Sequence, residues 1–205
     1  MAQRGRPRSF DREHALKQAM EVFWAVGYEG STLAQLQESM GGITAPSFYA
    51  AFRSKEELFR EAVELYSRTL GAPMAKGLAE GRSARSAVGA LLRAAIEAFT
   101  KPGKPRGCML VLAAMNSAPE NKSVRDHLRS LRARRQKLIQ QRVQRDVDER
   151  DLPRSLNAAA VASFYATIVD GLAIQARDGA SRKALNFAVR CAMEAWERVI
   201  AEASA

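Results

Sequence analysis

Residues 31–57, STLAQLQESMGGITAPSFYAAFRSKEE, decide the fold of the N-terminal part of the chain. Thr32 followed by Gln35 is a capping-box pattern that begins a helix, and Gly41-Gly42 ends that helix. Thr44 begins a second helix shortly afterwards. Two short helices joined by a glycine turn form a helix-turn-helix, which places its second helix in the major groove of DNA. The stretch therefore predicts a DNA-binding surface.

Apolar residues recur at helical spacing along almost the whole chain, and β-branched residues do not alternate with polar ones over long stretches. This pattern predicts an all-α protein. In chain order we predict helices over about 11–26, 32–40, 44–52 and 54–70, followed by a loose segment at 71–83. Apolar residues at helical spacing then recur over 88–99, and a loop follows at 101–107. A short buried helix begins at Cys108, and long helices follow over 123–147, 156–177 and 182–202.

The last two predicted helices are apolar on nearly every side. A helix of this kind needs neighbours all round, and a partner subunit is the simplest source in a chain of this size. The sequence therefore predicts a homodimer.

The net charge of +10 suggests a polyanionic partner, but its distribution weakens that argument. Residues 1–60 are nearly balanced, and the basic excess lies in 122–145, where we predict a solvated helix face. Arg4, Arg6 and Arg8 alternate with small or rigid residues in an N-terminal arm. Such arms enter the minor groove of DNA, so these three arginines are predicted contacts.

Several classes of protein are disfavoured by composition. Cys108 and Cys191 are the only cysteines and His14 and His127 the only histidines, so metal sites and histidine-based catalysis are poorly supplied. We predict no cofactor and no metal. No apolar run approaches the ~20 residues that span a bilayer, and no secretory signal is visible, so we predict a cytoplasmic protein without a membrane partner. An enzyme built on scattered carboxylates and a helical adaptor remain as alternatives.

Residue types indicate how the motif would contact DNA. Thr44, Ala45 and Ser47 lie at the start of the predicted recognition helix, where small hydroxyl and methyl groups reach base edges. Thr32 and Lys55 lie at the starts of two other helices, where phosphate is attracted by backbone N–H groups. For Lys55 a solvated helix start is the alternative. None of these side chains makes bidentate base contacts, so DNA shape should contribute to recognition.

The chain resembles the TetR family of transcriptional regulators over roughly residues 9–60. The matching stretches are AVGYEGSTL, GGIT, TAPSFYAAF and SKEELF. The resemblance implies a ligand-responsive repressor of transcription that acts as a homodimer on a double-stranded, palindromic DNA operator. It also implies that Tyr49 hydrogen-bonds a phosphate while Phe48 packs inward. An inward-packed Tyr49 ring is the alternative.

The resemblance further implies a DNA-binding domain at 1–60 and a ligand-binding and dimerisation domain at 61–205. An unidentified small-molecule effector would bind among apolar residues that could equally be plain core: Phe99, Met109, Leu112, Met115, Phe164 and Ile168. Cys108 is a possible redox or electrophile sensor, because Arg106 and a helix start would lower its thiol pKa. A small buried apolar side chain is the alternative for Cys108.

Overall fold

The computed structural model describes residues 11–115 and 117–204, which form ten helices and no strand. The helices are α1 (Arg12–Gly30), α2 (Leu33–Ser39), α3 (Ala45–Phe52), α4 (Lys55–Thr69), α5 (Ala72–Glu80), α6 (Ala84–Phe99), α7 (Met109–Leu112), α8 (Lys122–Asp148), α9 (Ala158–Arg177) and α10 (Arg182–Ser204), with a 3₁₀ turn at Pro119–Asn121 before α8. The prediction of an all-α protein is confirmed.

Helix α1 begins where the sequence predicts but continues past Gly27. The Asp11 side chain caps the helix by accepting from the amides of Glu13 and His14 at 3.1 and 3.0 Å. Gly27 then interrupts the helix with φ +78°, and a Cβ at this position would lie 3.1 Å from the carbonyl oxygen of Ala113. Both the left-handed backbone and the close approach require glycine here.

The prediction of a loose segment at 71–83 is wrong, because α5 occupies most of it. Met74 and Leu78 are buried, and α5 packs against α6. The close packing of α5 against α6 depends on Gly77, because a Cβ at this position would lie 3.1 Å from the Cβ of Ala90. A glycine that looks like a helix breaker in the sequence instead lets two helices approach closely.

Aromatic side chains join α1 to α4. Phe23 and Phe59 meet edge to face with ring centroids 5.0 Å apart, and Trp24 meets Tyr66 in the same way at 5.1 Å. Helix α4 runs without interruption across residue 60, the predicted domain boundary. The helix-turn-helix is therefore attached to the rest of the chain through a shared aromatic core.

The C-terminal part of the fold is built around α9, which packs against α6, α8 and α10. Among the helices described, α9 is the one whose length and mean hydropathy, 1.4 over its most apolar window, would allow it to cross a membrane. Core helices of soluble proteins have the same composition, and these three packing partners place α9 in that role.

The arginine-rich helix α8 is only partly the solvated face that the sequence predicts. Arg135 pairs with Asp170 of α9, and Arg142 forms a buried ion pair with Asp146. Arg132 donates to a backbone carbonyl of α7 at 2.6 Å. These three arginines fasten α8 to its neighbours. Arg125, Arg129, Arg134 and Arg145 are exposed, as the predicted solvated face requires.

Candidate nucleic-acid interface

The turn between α2 and α3 depends on two consecutive glycines. Gly41 and Gly42 have φ values of +88° and +74°, in the left-handed region that residues with a Cβ rarely adopt. The amide of Gly42 donates to the carbonyl of Gln37 at 2.9 Å, which satisfies a carbonyl near the end of α2. The chain can therefore turn sharply and begin α3 almost at once.

A threonine caps each helix of the motif. The Thr32 hydroxyl accepts from the Gln35 amide at 3.2 Å, and the Gln35 side chain accepts from the Thr32 amide at 2.9 Å, which confirms the predicted capping box. The Thr44 hydroxyl accepts from the Ser47 amide at 3.4 Å. All four side chains are exposed, so the start of each helix is open to a ligand from solvent.

Buried aromatic rings fix the orientation of α3. Phe48 and Phe52 are 0% and 1% exposed, and the guanidinium carbon of Arg12 lies 4.7 Å from the centroid of the Phe52 ring. The same guanidinium pairs with Glu61 of α4 at 2.7 Å. Tyr49 is 52% exposed, so the alternative of an inward-packed Tyr49 ring is wrong. One side of α3 is anchored and the other faces solvent.

Lys55 is held more firmly than a freely solvated side chain. Its ammonium lies 4.4 Å from the centroid of the Tyr28 ring, which is a cation–π contact. Burial lowers the pKa of Lys55, and the carboxylate of Glu29 opposes that shift. The alternative of a solvated helix start is therefore wrong, and the contact of Lys55 with a phosphate stays a prediction.

The nine predicted DNA contacts divide into three groups. Thr32, Thr44, Ala45, Ser47 and Tyr49 are exposed on α2, α3 and their caps, and Lys55 is half-buried at the start of α4. The three arm arginines, Arg4, Arg6 and Arg8, lie outside the described residues.

Arg53 is a candidate contact that the sequence reasoning missed. It lies between α3 and α4, is exposed, and has φ +60°, an unusual value for a residue with a Cβ. Within the described part of the chain it makes no ion pair, so its charge is available to a phosphate. Its position between two helices of the motif was visible in the sequence, but its exposure was not.

The end of α1 connects this surface to the C-terminal helices. Trp24 Nε1 donates to the carbonyl of Gly107 at 3.1 Å, and the amide of Tyr28 donates to the carbonyl of Ala113 at 2.7 Å. Arg177 of α9 donates through Nη2 to the carbonyl of Ala25 at 2.6 Å. A displacement of α7 or α9 would therefore be transmitted to α1 and the helix-turn-helix.

The six residues predicted to line an effector pocket lie in different environments. Phe99 and Met109 are fully buried, and Leu112 and Ile168 are half-buried. Phe164 is 42% exposed and lines a groove of about 400 Å³ between α9 and α10 with Tyr165 and Trp196, whereas Met115 is 58% exposed. The six residues therefore do not share one enclosed cavity, and their contact with an effector stays a prediction. Sequence periodicity identifies apolar positions but does not distinguish a cavity wall from a surface that another chain could cover.

The lowered thiol pKa predicted for Cys108 is wrong. Cys108 is fully buried, and burial raises the pKa of its thiol. The guanidinium of Arg106 points elsewhere and donates to the carbonyls of Ala176 and Ala180. Helix α7 has only four residues, so its start offers little dipole. Arg135 lowers the pKa of the thiol by less than burial raises it, so Cys108 lacks the exposure and the lowered pKa of a reactive cysteine.

Two poorly satisfied polar atoms lie near Cys108. The Tyr66 hydroxyl lies beside the Cys108 thiol and the backbone of Met109, and burial raises the pKa of Tyr66 well above its ordinary value. Among the described residues, three buried side-chain atoms lack a hydrogen-bond partner of good geometry: Tyr66 Oη and Arg135 Nε near Cys108, and Arg142 Nε elsewhere on α8. Because such atoms are destabilising unless satisfied, this cluster is suited to a bound polar group.

The carboxylates of Asp146, Glu149 and Asp151 offer oxygens within 4.8 Å of one another. Both oxygens of Asp146 already accept hydrogen bonds, from Arg142 and from the amide of Ala84. Glu149 accepts from Arg145 at 2.9 Å. The carboxylates of Asp146 and Glu149 are therefore engaged by the protein itself.

Two parts of the chain match known protein families. Residues 15–62 match the family described as bacterial regulatory proteins, tetR family, and residues 84–192 match the tetracyclin repressor-like C-terminal domain. The chain belongs to the TetR family of transcriptional regulators. The first match covers the helix-turn-helix, and the second runs from the start of α6 to about the middle of α10.

Individual relatives of the regulator cover almost its whole length. It is 32% identical to the HTH-type transcriptional repressor ComR of Escherichia coli over 198 residues, which are 96% of this chain and 94% of ComR. It is 28% identical to the repressor BdcR of the same organism over 97% of this chain and 95% of BdcR.

A solved structure shares both sequence and fold with the regulator. This is the TetR-family regulator CifR, a cysteine mutant complexed with 26 bp double-strand operator DNA, with 44% identity and a TM-score of 0.89. The match covers 93% of this chain and 100% of the CifR chain.

Proposed function

We propose that the regulator is a repressor that binds a palindromic operator as a homodimer and is controlled by a small-molecule effector in the cytoplasm. The observation that carries this proposal is the exposed outer side of α3, with Thr44, Ala45, Ser47 and Tyr49, held in place by the buried Phe48. The CifR complex with operator DNA supports the same use of this surface.

The surface is suited to DNA by position more than by charge. Hydroxyl groups at the start of α3 can reach base edges, while Tyr49, Lys55 and Arg53 offer donors to the backbone phosphates. Because few of these groups are charged, the arm arginines Arg4, Arg6 and Arg8 would supply much of the remaining electrostatic affinity.

The first test is a gel-shift with DNA fragments from upstream of the regulator's own gene. We expect one fragment to form a retarded complex that survives excess non-specific DNA. Its affinity should fall steeply with salt, because each neutralised phosphate releases about 0.9 counterions. Failure of every upstream fragment to shift at low salt would count against operator binding.

The proposed dimer interface is the outer face of α9 and α10. Phe164, Phe187 and Val199 are 42%, 59% and 38% exposed in the single chain. Small residues of α9, Ala160 and Gly171 among them, are exposed on that helix and would let a partner helix approach closely. A dimer would set the separation of the two α3 helices, which must match ~34–36 Å or a multiple to read two half-sites.

Phe164→Glu is expected to convert the dimer to a monomer at micromolar concentration, because it places a charge in an apolar interface. Light scattering should give a mass near one chain of 22.5 kDa instead of two. Leu138→Glu is the matched control, because Leu138 of α8 is also 42% exposed but lies on another helix. Dissociation by both variants, or by neither, would place the interface elsewhere.

The effector is proposed to bind beside Cys108. The Tyr66 hydroxyl and Arg135 Nε, which lack a hydrogen-bond partner of good geometry among the described residues, would donate to an oxygen of the effector. Met109, one of the predicted pocket residues, lies beside the Tyr66 hydroxyl through its backbone. Helix α7 carries Met109 and is followed by Ala113, whose carbonyl accepts a hydrogen bond from the amide of Tyr28 in α1. Binding that displaced α7 would therefore move α1 and change the separation of the recognition helices.

A further inference from the structure

We propose that a groove between α6 and α10 binds an organic phosphate of nucleotide size. The groove has a volume of about 670 Å³ and lies away from the helix-turn-helix, on two helices that contribute nothing to the DNA surface. Its volume is in the range of pockets that hold small molecules. The proposal is independent of the effector site beside Cys108.

Four cationic side chains line the groove, and none of its described lining residues is acidic. Arg85 and Arg93 reach it from α6, and Lys183 and Arg190 reach it from α10. Arg85 pairs with Glu197 at 2.7 Å, but Arg93, Lys183 and Arg190 make no ion pair with any residue of the described ranges. Like charges gathered in a concave surface create a positive potential that concentrates anions.

The kind of anion follows from the donors. A guanidinium group can donate two parallel hydrogen bonds to the oxygens of a phosphate, and a lysine ammonium adds a compact positive charge. Ser86 and Asn186 add polar groups at the rim. The Asn186 amide nitrogen already donates to the carbonyl of Arg182, so its oxygen remains to accept from a hydroxyl of the ligand.

The floor of the groove is apolar, which favours an organic phosphate over inorganic phosphate. Val189 is buried and Met193 half-buried. Gly89, in the interior of α6, keeps the floor open, since a Cβ there would lie 3.2 Å from Arg93 Nη1 and 3.6 Å from Met193 Cε. A planar apolar ring can lie on this floor while its phosphates face the cations.

Titration calorimetry of the full-length protein with ATP, adenosine and inorganic tripolyphosphate tests the proposal. ATP should bind more tightly than either other probe, since only ATP uses both the cations and the floor. Weaker binding of ATP than of tripolyphosphate, or no binding of ATP at near-physiological salt, would overturn the proposal.

Two double variants distinguish binding of ATP in this groove from non-specific attraction of ATP to a positively charged protein. Arg93→Glu with Lys183→Glu should weaken ATP binding by about 100-fold, since each lost phosphate contact is worth about tenfold. Arg134→Glu with Lys137→Glu is the matched control, because both side chains are exposed on α8 and form no ion pair within residues 11–115 and 117–204. Equal weakening in the control, or in Arg53→Glu on the DNA surface, would show that ATP binds elsewhere.

Gly89→Met tests the apolar floor without a change in charge. The atoms nearest to a Cβ at this position belong to the flexible ends of Arg93 and Met193, and a non-glycine residue favours the helix, so the variant should fold. ATP binding should weaken about tenfold, and tripolyphosphate binding should weaken less, because only the flexible end of Arg93 has to shift. Unchanged ATP binding in Gly89→Met would overturn the placement of the ligand's apolar part.

Discussion

Tyr49→Ala is expected to weaken operator binding by about 100-fold or more while the protein stays folded. Tyr49 is 52% exposed on α3, so its removal leaves no cavity in the core formed by Phe48 and Phe52. A hydrogen bond to a charged phosphate contributes about 1.5–3 kcal/mol, and a dimer loses it from both subunits. Fluorescence anisotropy with a labelled operator measures the change in Kd.

The salt dependence of binding identifies the kind of contact that is lost. Tyr49→Ala and Tyr49→Phe remove a neutral hydroxyl, so the slope of log K against log salt should stay the same. Arg53→Gln removes a charge, so the slope should become shallower by about 1 for each subunit. A Tyr49→Phe variant with wild-type affinity would mean that the ring, not the hydroxyl, contacts DNA.

Asp146→Ala is expected to lower the free energy of unfolding by about 3–5 kcal/mol, because it leaves the buried charge of Arg142 unpaired. Asp146 is 3% exposed and Arg142 is 8% exposed. The other oxygen of Asp146 accepts from the amide of Ala84 at the start of α6, so the substitution removes a helix-capping interaction as well. Urea denaturation followed by circular dichroism measures the loss.

Two further variants test whether the unpaired charge of Arg142 causes the loss of stability in Asp146→Ala. Asp148→Ala is the matched control: Asp148 is exposed on the same helix and bonded to Gln144, so its loss should change stability by less than about 0.5 kcal/mol. Replacing both partners, Arg142→Met with Asp146→Leu, should be much less destabilising than Asp146→Ala alone. An equal loss in the double variant would show that the helix cap, not the ion pair, dominates.

The helix-turn-helix could be predicted closely because its boundaries depend on local interactions. Thr32 and Thr44 cap the helices that the sequence assigned to them, and Gly41-Gly42 form the turn. Each of these interactions spans a few residues, so the sequence pattern contains both partners.

Predictions that depended on distant residues were less successful. The sequence of 71–83 predicts a loose segment, but α5 occupies most of it and Gly77 closely approaches Ala90 of α6. The nearness of Arg106 in sequence predicts a lowered pKa for the Cys108 thiol, whereas burial raises that pKa. Arg53 was missed because exposure cannot be read from a short motif.

The sequence by itself determined that the chain is all-α, where its N-terminal helices begin, and which family it resembles, because helical periodicity, caps and glycine turns act within a few residues. Only the tertiary structure decided that Arg135 and Arg142 are paired and that Phe164 faces outward. It also brought Arg93 of α6 and Lys183 of α10 to the same groove. Burial, ion pairing and convergence arise from contacts between residues far apart in the chain, so they depend on how the helices pack.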